Sequence, residues 1–128
     1  MSISAKIGFG PKVSGEAVFL GAAQEVATHH LSLDLTGKIL ILPRWVGKEF
    51  VQKADFVGVL GVVVPAMHYR DFDYFRKQGG LTLLVVEQFG ELDASPESAK
   101  KLASFDRRQV VVDGEEKTLV LLQSHHEP

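Results

Sequence analysis

The chain has no cysteine. That single absence removes disulfides, thiolate metal sites and cysteine nucleophiles together. It also lacks an excess of positive charge. The formal net charge is −2, with 14 Lys and Arg against 16 Asp and Glu, whereas nucleic-acid and anionic-membrane partners call for a basic surplus. Long apolar runs are missing too. The longest, Val57 to Met67, is about half of the roughly 20 residues a membrane helix needs. The first residues, MSISAKIGFGPKVSG, contain no apolar stretch of signal-peptide length. These absences lead us to expect a soluble, cytoplasmic protein with neither a nucleic-acid nor a membrane partner.

What is present fits one domain of 128 residues, which at this size buries roughly two-thirds of its unfolded surface without staples. Two textures divide it. Residues 1–36 read as an N-terminal β segment of two or three short antiparallel strands. HLSLDLTG, with Leu31, Leu33 and Leu35 alternating with polar residues, has the period of a half-buried strand. Residues 37–122 read as an α/β core. KILILP, VLGVVVP and LTLLVV are continuous apolar strands of the kind buried on both faces of a parallel sheet. Between them, RWVGKEFVQKADF carries Val46, Phe50, Val51 and Ala54 at helical spacing. HYRDFDYFRKQGG carries Tyr69, Phe72 and Phe75 on one stripe and ends in a glycine pair. SPESAKKLASF opens a third helix, with Ser95 as N-cap and Pro96 in the first turn. QVVVD and KTLVLL around GEE make a C-terminal hairpin, and residues 123–128 form a tail. The fold class expected is therefore α/β: a parallel-core sheet in βαβαβα order with antiparallel β structure at both ends.

Ligands of open parallel sheets bind beyond the carboxyl ends of the strands. That rule nominates Arg44 and Trp45 after the first core strand, His68 after the second and Glu87 at the end of the third. His68 opens the second helix, where free backbone N–H groups favour a bound anion and a neutral imidazole. It is either a catalytic nucleophile or base, or simply the residue bordering the helix. Trp45 either stacks on a ligand beside an anion-binding Arg44 or closes the end of the core. Glu87 is either a base or the ion-pair partner of Arg44. Asp71 and Asp73 suit the helix dipole, and Arg70 points to solvent. Tyr74 lies off the aromatic stripe, so Tyr69, Phe72 and Tyr74 are candidate interface residues, covered by the N-terminal β segment or by a second subunit.

Metal and cofactor sites are not expected. The pairs His29–His30 and His125–His126 consist of adjacent residues, which point to opposite faces of a strand. GFGPKVSG lacks both the lysine–serine ending of a phosphate-binding loop and a Gly-x-Gly-x-x-Gly pattern, and the chain has no Gly-x-Ser-x-Gly elbow.

GKILILP, ADFVGVLGVVVPAMH, LTLLVVE and VVVDGEEKTLVLL together resemble, in the order of their elements, the swivelling β/β/α domains. That group includes the phosphohistidine domain of phosphoenolpyruvate-utilising enzymes and the small swivelling domain of aconitase-like dehydratases. The resemblance covers about two-thirds of the chain and places His68 where the first of these carries its phosphorylated histidine. Met67 stands where that family has serine, and VVPA where it has a glycine-rich turn. It implies an accessory domain that works with something else. The function expected is thus a non-catalytic binding or interaction module, oligomeric or part of a complex, with itself or another protein chain as partner. The alternative is a phosphoryl-carrier or anion-binding enzyme domain using His68 with Arg44 on a small anionic ligand.

Overall fold

A computed structural model of the chain describes residues 2–21 and 31–122. The three continuous apolar runs form β4 (Ile39–Ile41), β5 (Gly61–Met67) and β6 (Thr82–Phe89). They are mutually parallel, with Ile41 opposite Val63 and Val63 opposite Leu84. Every residue of β4 and β5 is buried, which is why these strands are apolar throughout rather than alternating. Their connections are the expected helices α1 (Lys48–Val57) and α2 (Tyr69–Gln78).

Around this parallel core lies one mixed sheet of eight strands in the order β1-β8-β7-β3-β4-β5-β6-β2. β3 (Val13–Phe19) continues the parallel set beside β4. Its other edge meets β7 (Gln109–Asp113), which forms the expected antiparallel hairpin with β8 (Thr118–Leu121). β1 (Ser2–Ser4) pairs antiparallel with β8, and β2 (Ile7–Phe9) pairs antiparallel with β6. The two ends of the strand order are therefore joined by Ala5 and Lys6 alone. Ala5 N–H donates to Lys117 at 2.7 Å and Lys6 N–H to Val85 at 3.2 Å, so the sheet wraps round and its ends meet.

Strand alternation sorts the side chains into two cores. On the outer face Leu40, Leu42, Val62, Val64, Leu83 and Val85 pack under α1 and α2. On the inner face Ile39, Ile41, Val63 and Leu84 meet Ile3, Val110, Val112 and Leu119 from the far side of the wrapped sheet. Leu102 and Phe105, from α3 (Pro96–Ala103) and just beyond it, join this inner core and are fully buried. Ser95 caps α3 as read, its hydroxyl accepting from Ser98 N–H at 3.1 Å with Pro96 in the first turn.

The N-terminal segment departs from the reading in two ways. Its strands do not pair with one another. They are dealt to both sides of the core, and β3, though antiparallel to β7, is parallel to β4. HLSLDLTG is also not a strand over its described part, where Leu33–Leu35 form a 3-10 turn. The leucine spacing was not a burial pattern: Leu31 is buried, while Leu33 is 73% exposed. Thr36 holds the turn, its hydroxyl lying 2.7 Å from both the Leu33 and the Val57 carbonyls. The histidine pairs 29–30 and 125–126 and the tail 123–128 lie outside the described residues.

Candidate functional site

The chain leaves β4 through Leu42 and Pro43, which put Arg44 and Trp45 just beyond the carboxyl end of the sheet. β5 ends one strand over at Met67, followed by His68. Because β4 and β5 are adjacent and parallel, Trp45 and His68 emerge side by side. Their rings meet edge to face, with centroids 5.4 Å apart at 81°. His68 occupies the N-cap position of α2 in extended conformation (ψ 137°). Its carbonyl accepts from Asp71 and Phe72 N–H, each at 3.1 Å, but its ring makes no capping bond.

The ring instead meets a carboxylate that sequence reasoning missed. His68 Nε2 lies 2.8 Å from Glu91 Oε2. An ionised carboxylate only accepts, so Nε2–H is the donor and Nδ1 is the nitrogen left over. Two local features bring Glu91 here. Across Pro65, Val64 faces Val85 and Ala66 faces Gln88, so β6 carries one extra residue where proline supplies no N–H. Gly90, at φ 124°, then turns the chain back. Its N–H donates to Met67 at 2.9 Å, and Ala94 N–H donates to Pro43 at 2.7 Å. The loop after β6 is thereby fastened to the ends of both β5 and β4. The glycine directly after Phe89 was the available sequence signal.

Of the four nominated rim residues, the structure brings Trp45 and His68 into contact. Glu87 sits within β6, before its end, and the carboxylate on His68 is Glu91. Arg44 is half-buried after β4 and forms no ion pair among the described residues. The rim is open: the side chains of His68 and Glu91 are 47% and 57% exposed. Beside them His68, Tyr69, Arg70 and Asp71 line a shallow depression of about 550 Å³.

The aromatic residues of α2 have partners within the chain. Phe72 is buried and meets Phe9 of β2 at 5.3 Å and Phe89 at 5.5 Å, both edge to face. Tyr74 lies against Phe75 at 5.0 Å, and the Lys48 ammonium sits 3.8 Å above its ring. Tyr69 touches Phe89 at 5.1 Å but keeps 57% of its surface. Of the three, Tyr69 alone is exposed. Asp73 is bonded by Arg76 and by Lys77, and these bonds hold its carboxyl below the usual range.

No family model matches the chain, and no curated protein matches it in sequence. Solved structures share its fold. A UPF0107 protein determined by solution NMR superposes with a TM-score of 0.63 at 12% identity, over 96% of this chain and 100% of that one. RraAS2 of Streptomyces coelicolor, described as an unusual member of the RNase ES inhibitor RraA family, gives 0.57 at 15% identity over 94% and 69%. At such identities the likeness establishes a mixed α/β fold. Among the described residues no helix is long and apolar enough to cross a membrane.

Proposed function

We propose that the protein is a non-catalytic binding module, an accessory domain of the swivelling β/β/α kind. Its rim, formed by Trp45, His68, Tyr69 and Glu91, receives another protein chain. The observation that carries this reading is the open His68–Glu91 pair, held edge-on by Trp45 at the ends of two parallel strands. Reaction sites are usually enclosed clefts with a few converging polar groups. Here an aromatic and a hydrogen-bonded pair face solvent over a shallow depression, as interface anchors do. A fold of this kind serves in a family named for inhibiting RNase ES, a precedent for action on another protein.

A benzophenone amino acid placed at Tyr69, in the cells that make the protein, tests the proposal. One discrete protein adduct is expected, lost with Trp45→Ala and absent when the probe sits at Lys117 on the hairpin. Equal adducts from both positions would overturn it.

A second reading has its own observation. With Nε2 bonded to Glu91, Nδ1 of His68 is left at the N-terminus of α2, on the same rim as Arg44. This suits a phosphoryl carrier. Phosphoramidate discriminates: its P–N bond breaks and ammonia leaves as a P–Nδ1 bond forms. A carrier site would label faster at His68 than at the other four histidines. The binding reading expects no such preference.

A further inference from the structure

We infer that the outer crest of α1, together with the 3-10 turn at Leu33–Leu35, is the surface on which two copies of this chain associate. The helix buries Phe50, Val51, Ala54 and Val57. At 100° per residue Phe56 points the opposite way, and it is 81% exposed. Leu33 is 73% exposed. These two are the barest large apolar side chains among the described residues, and the structure staples their backbones together. The Thr36 hydroxyl lies 2.7 Å from the carbonyls of both Leu33 and Val57, the residue after Phe56.

Charge then selects the occupant. Lys53, one helical turn before Phe56, carries its ammonium 5.8 Å from that ring. Asp34 adjoins Leu33 and is exposed. The patch therefore has an apolar residue with a cation on one half and an apolar residue with an anion on the other. A two-fold axis between the halves sets Phe56 on Leu33 of the second copy and Lys53 against Asp34 of the second copy, each contact made twice. This is the self-complementarity that a closed dimer requires. A partner of one charge sign would match only half the patch. The two side chains leave on the order of 250–300 Å² of apolar surface uncovered per copy. Two copies bring roughly 500–600 Å², about a third of a standard interface of roughly 1,600 Å², which fits the apolar centre of a reversible dimer.

The surface lies at the end of the parallel strands opposite the Trp45–His68 rim, so both rims of a dimer stay free and the two proposals fail independently. Sedimentation equilibrium of the full chain, from about 5 to about 500 μM, should show the 14.0 kDa monomer passing towards twice that mass. Phe56→Ser or Leu33→Ser, both at exposed positions, should each weaken association by about tenfold or more. Lys53→Glu should weaken it and Lys53→Glu with Asp34→Lys should restore it, while Trp45→Ala should leave it unchanged. A mass of 14.0 kDa at every concentration would overturn the inference, as would association untouched by Phe56→Ser or unrestored by the paired charge reversal.

Discussion

Replacing Gly114 by alanine tests the closure of the sheet at its tightest point. Gly114 follows β7 and crosses the end of β2. A methyl group on its Cα would stand 2.2 Å from the carbonyl carbon and oxygen of Phe9 and 2.5 Å from the Gly10 oxygen. Ordinary contact begins near 3.4 Å, so one backbone must retreat by about 1 Å. Neither side yields easily. Phe9 is in register with Leu83 in the β2–β6 pair. Gly114 lies in a turn where the Asp113 carboxylate accepts from Glu115 and Glu116 N–H at 3.0 and 3.1 Å. Overpacking typically costs about 1–3 kcal/mol, and a clash between two anchored backbones belongs at the top of that range. For a domain of this size a loss of about 3 kcal/mol lowers Tm by roughly 10–15 °C. Gly8→Ala is the comparison. Its methyl group would meet the Leu84 Cδ2 methyl at 2.7 Å, with backbone oxygens no nearer than 3.1 Å, and a side chain can rotate away, so about 1 kcal/mol is expected. Urea unfolding measures both. Equal effects, or a loss below about 1 kcal/mol for Gly114→Ala, would refute the wrapped sheet.

Phe72→Ala should cost about 3–4 kcal/mol, the range for deleting a buried ring, and the loss should not vary with protein concentration, because its cover, Phe9 and Phe89, is in the same chain. Ser95→Ala should cost about 1 kcal/mol in the same urea assay, through loss of the bond from Ser98 N–H. Glu16 is bonded to Lys38 at 2.5 Å, which holds its carboxyl below the usual range. A carboxyl depressed on folding contributes stability above its unfolded pKa and loses it as pH falls through the folded one. Wild type should therefore lose more stability than Glu16→Gln between about pH 7 and about pH 3, and identical acid profiles would contradict the pairing.

Much of this fold was legible because its signals are local. KILILP, VLGVVVP and LTLLVV carry their apolar residues consecutively, broken in the sheet by Thr82 alone, because helices cover one face and the wrapped sheet the other. Ser95–Pro96 marks a helix start by its own chemistry. The segment Leu31–Thr36 misled because leucine spacing alone does not say which residues are buried. A serine–threonine-flanked turn fixed by Thr36 uses the same letters as a strand. The pairing of β2 with β6 joins positions more than 70 residues apart, and nothing local in IGF names its partner. The site follows the same division. Trp45 and His68 could be placed on one rim because both follow parallel strands. Glu91 could not, because its position depends on the extra residue opposite Pro65 and on the reversal at Gly90. Phe56 was legible in principle, since it falls off the apolar stripe of its own helix.

The rim itself is open to one direct measurement: proton and nitrogen NMR of the histidine rings, in wild type and in Glu91→Gln. If Trp45, His68 and Glu91 are assembled as described, His68 ring protons show cross-relaxation to the Trp45 indole. Glu91→Gln then shifts the ring nitrogens of His68 and leaves the other four histidines where they were. A His68 ring with no indole contact and no response to Glu91→Gln would mean that these residues do not form a common site.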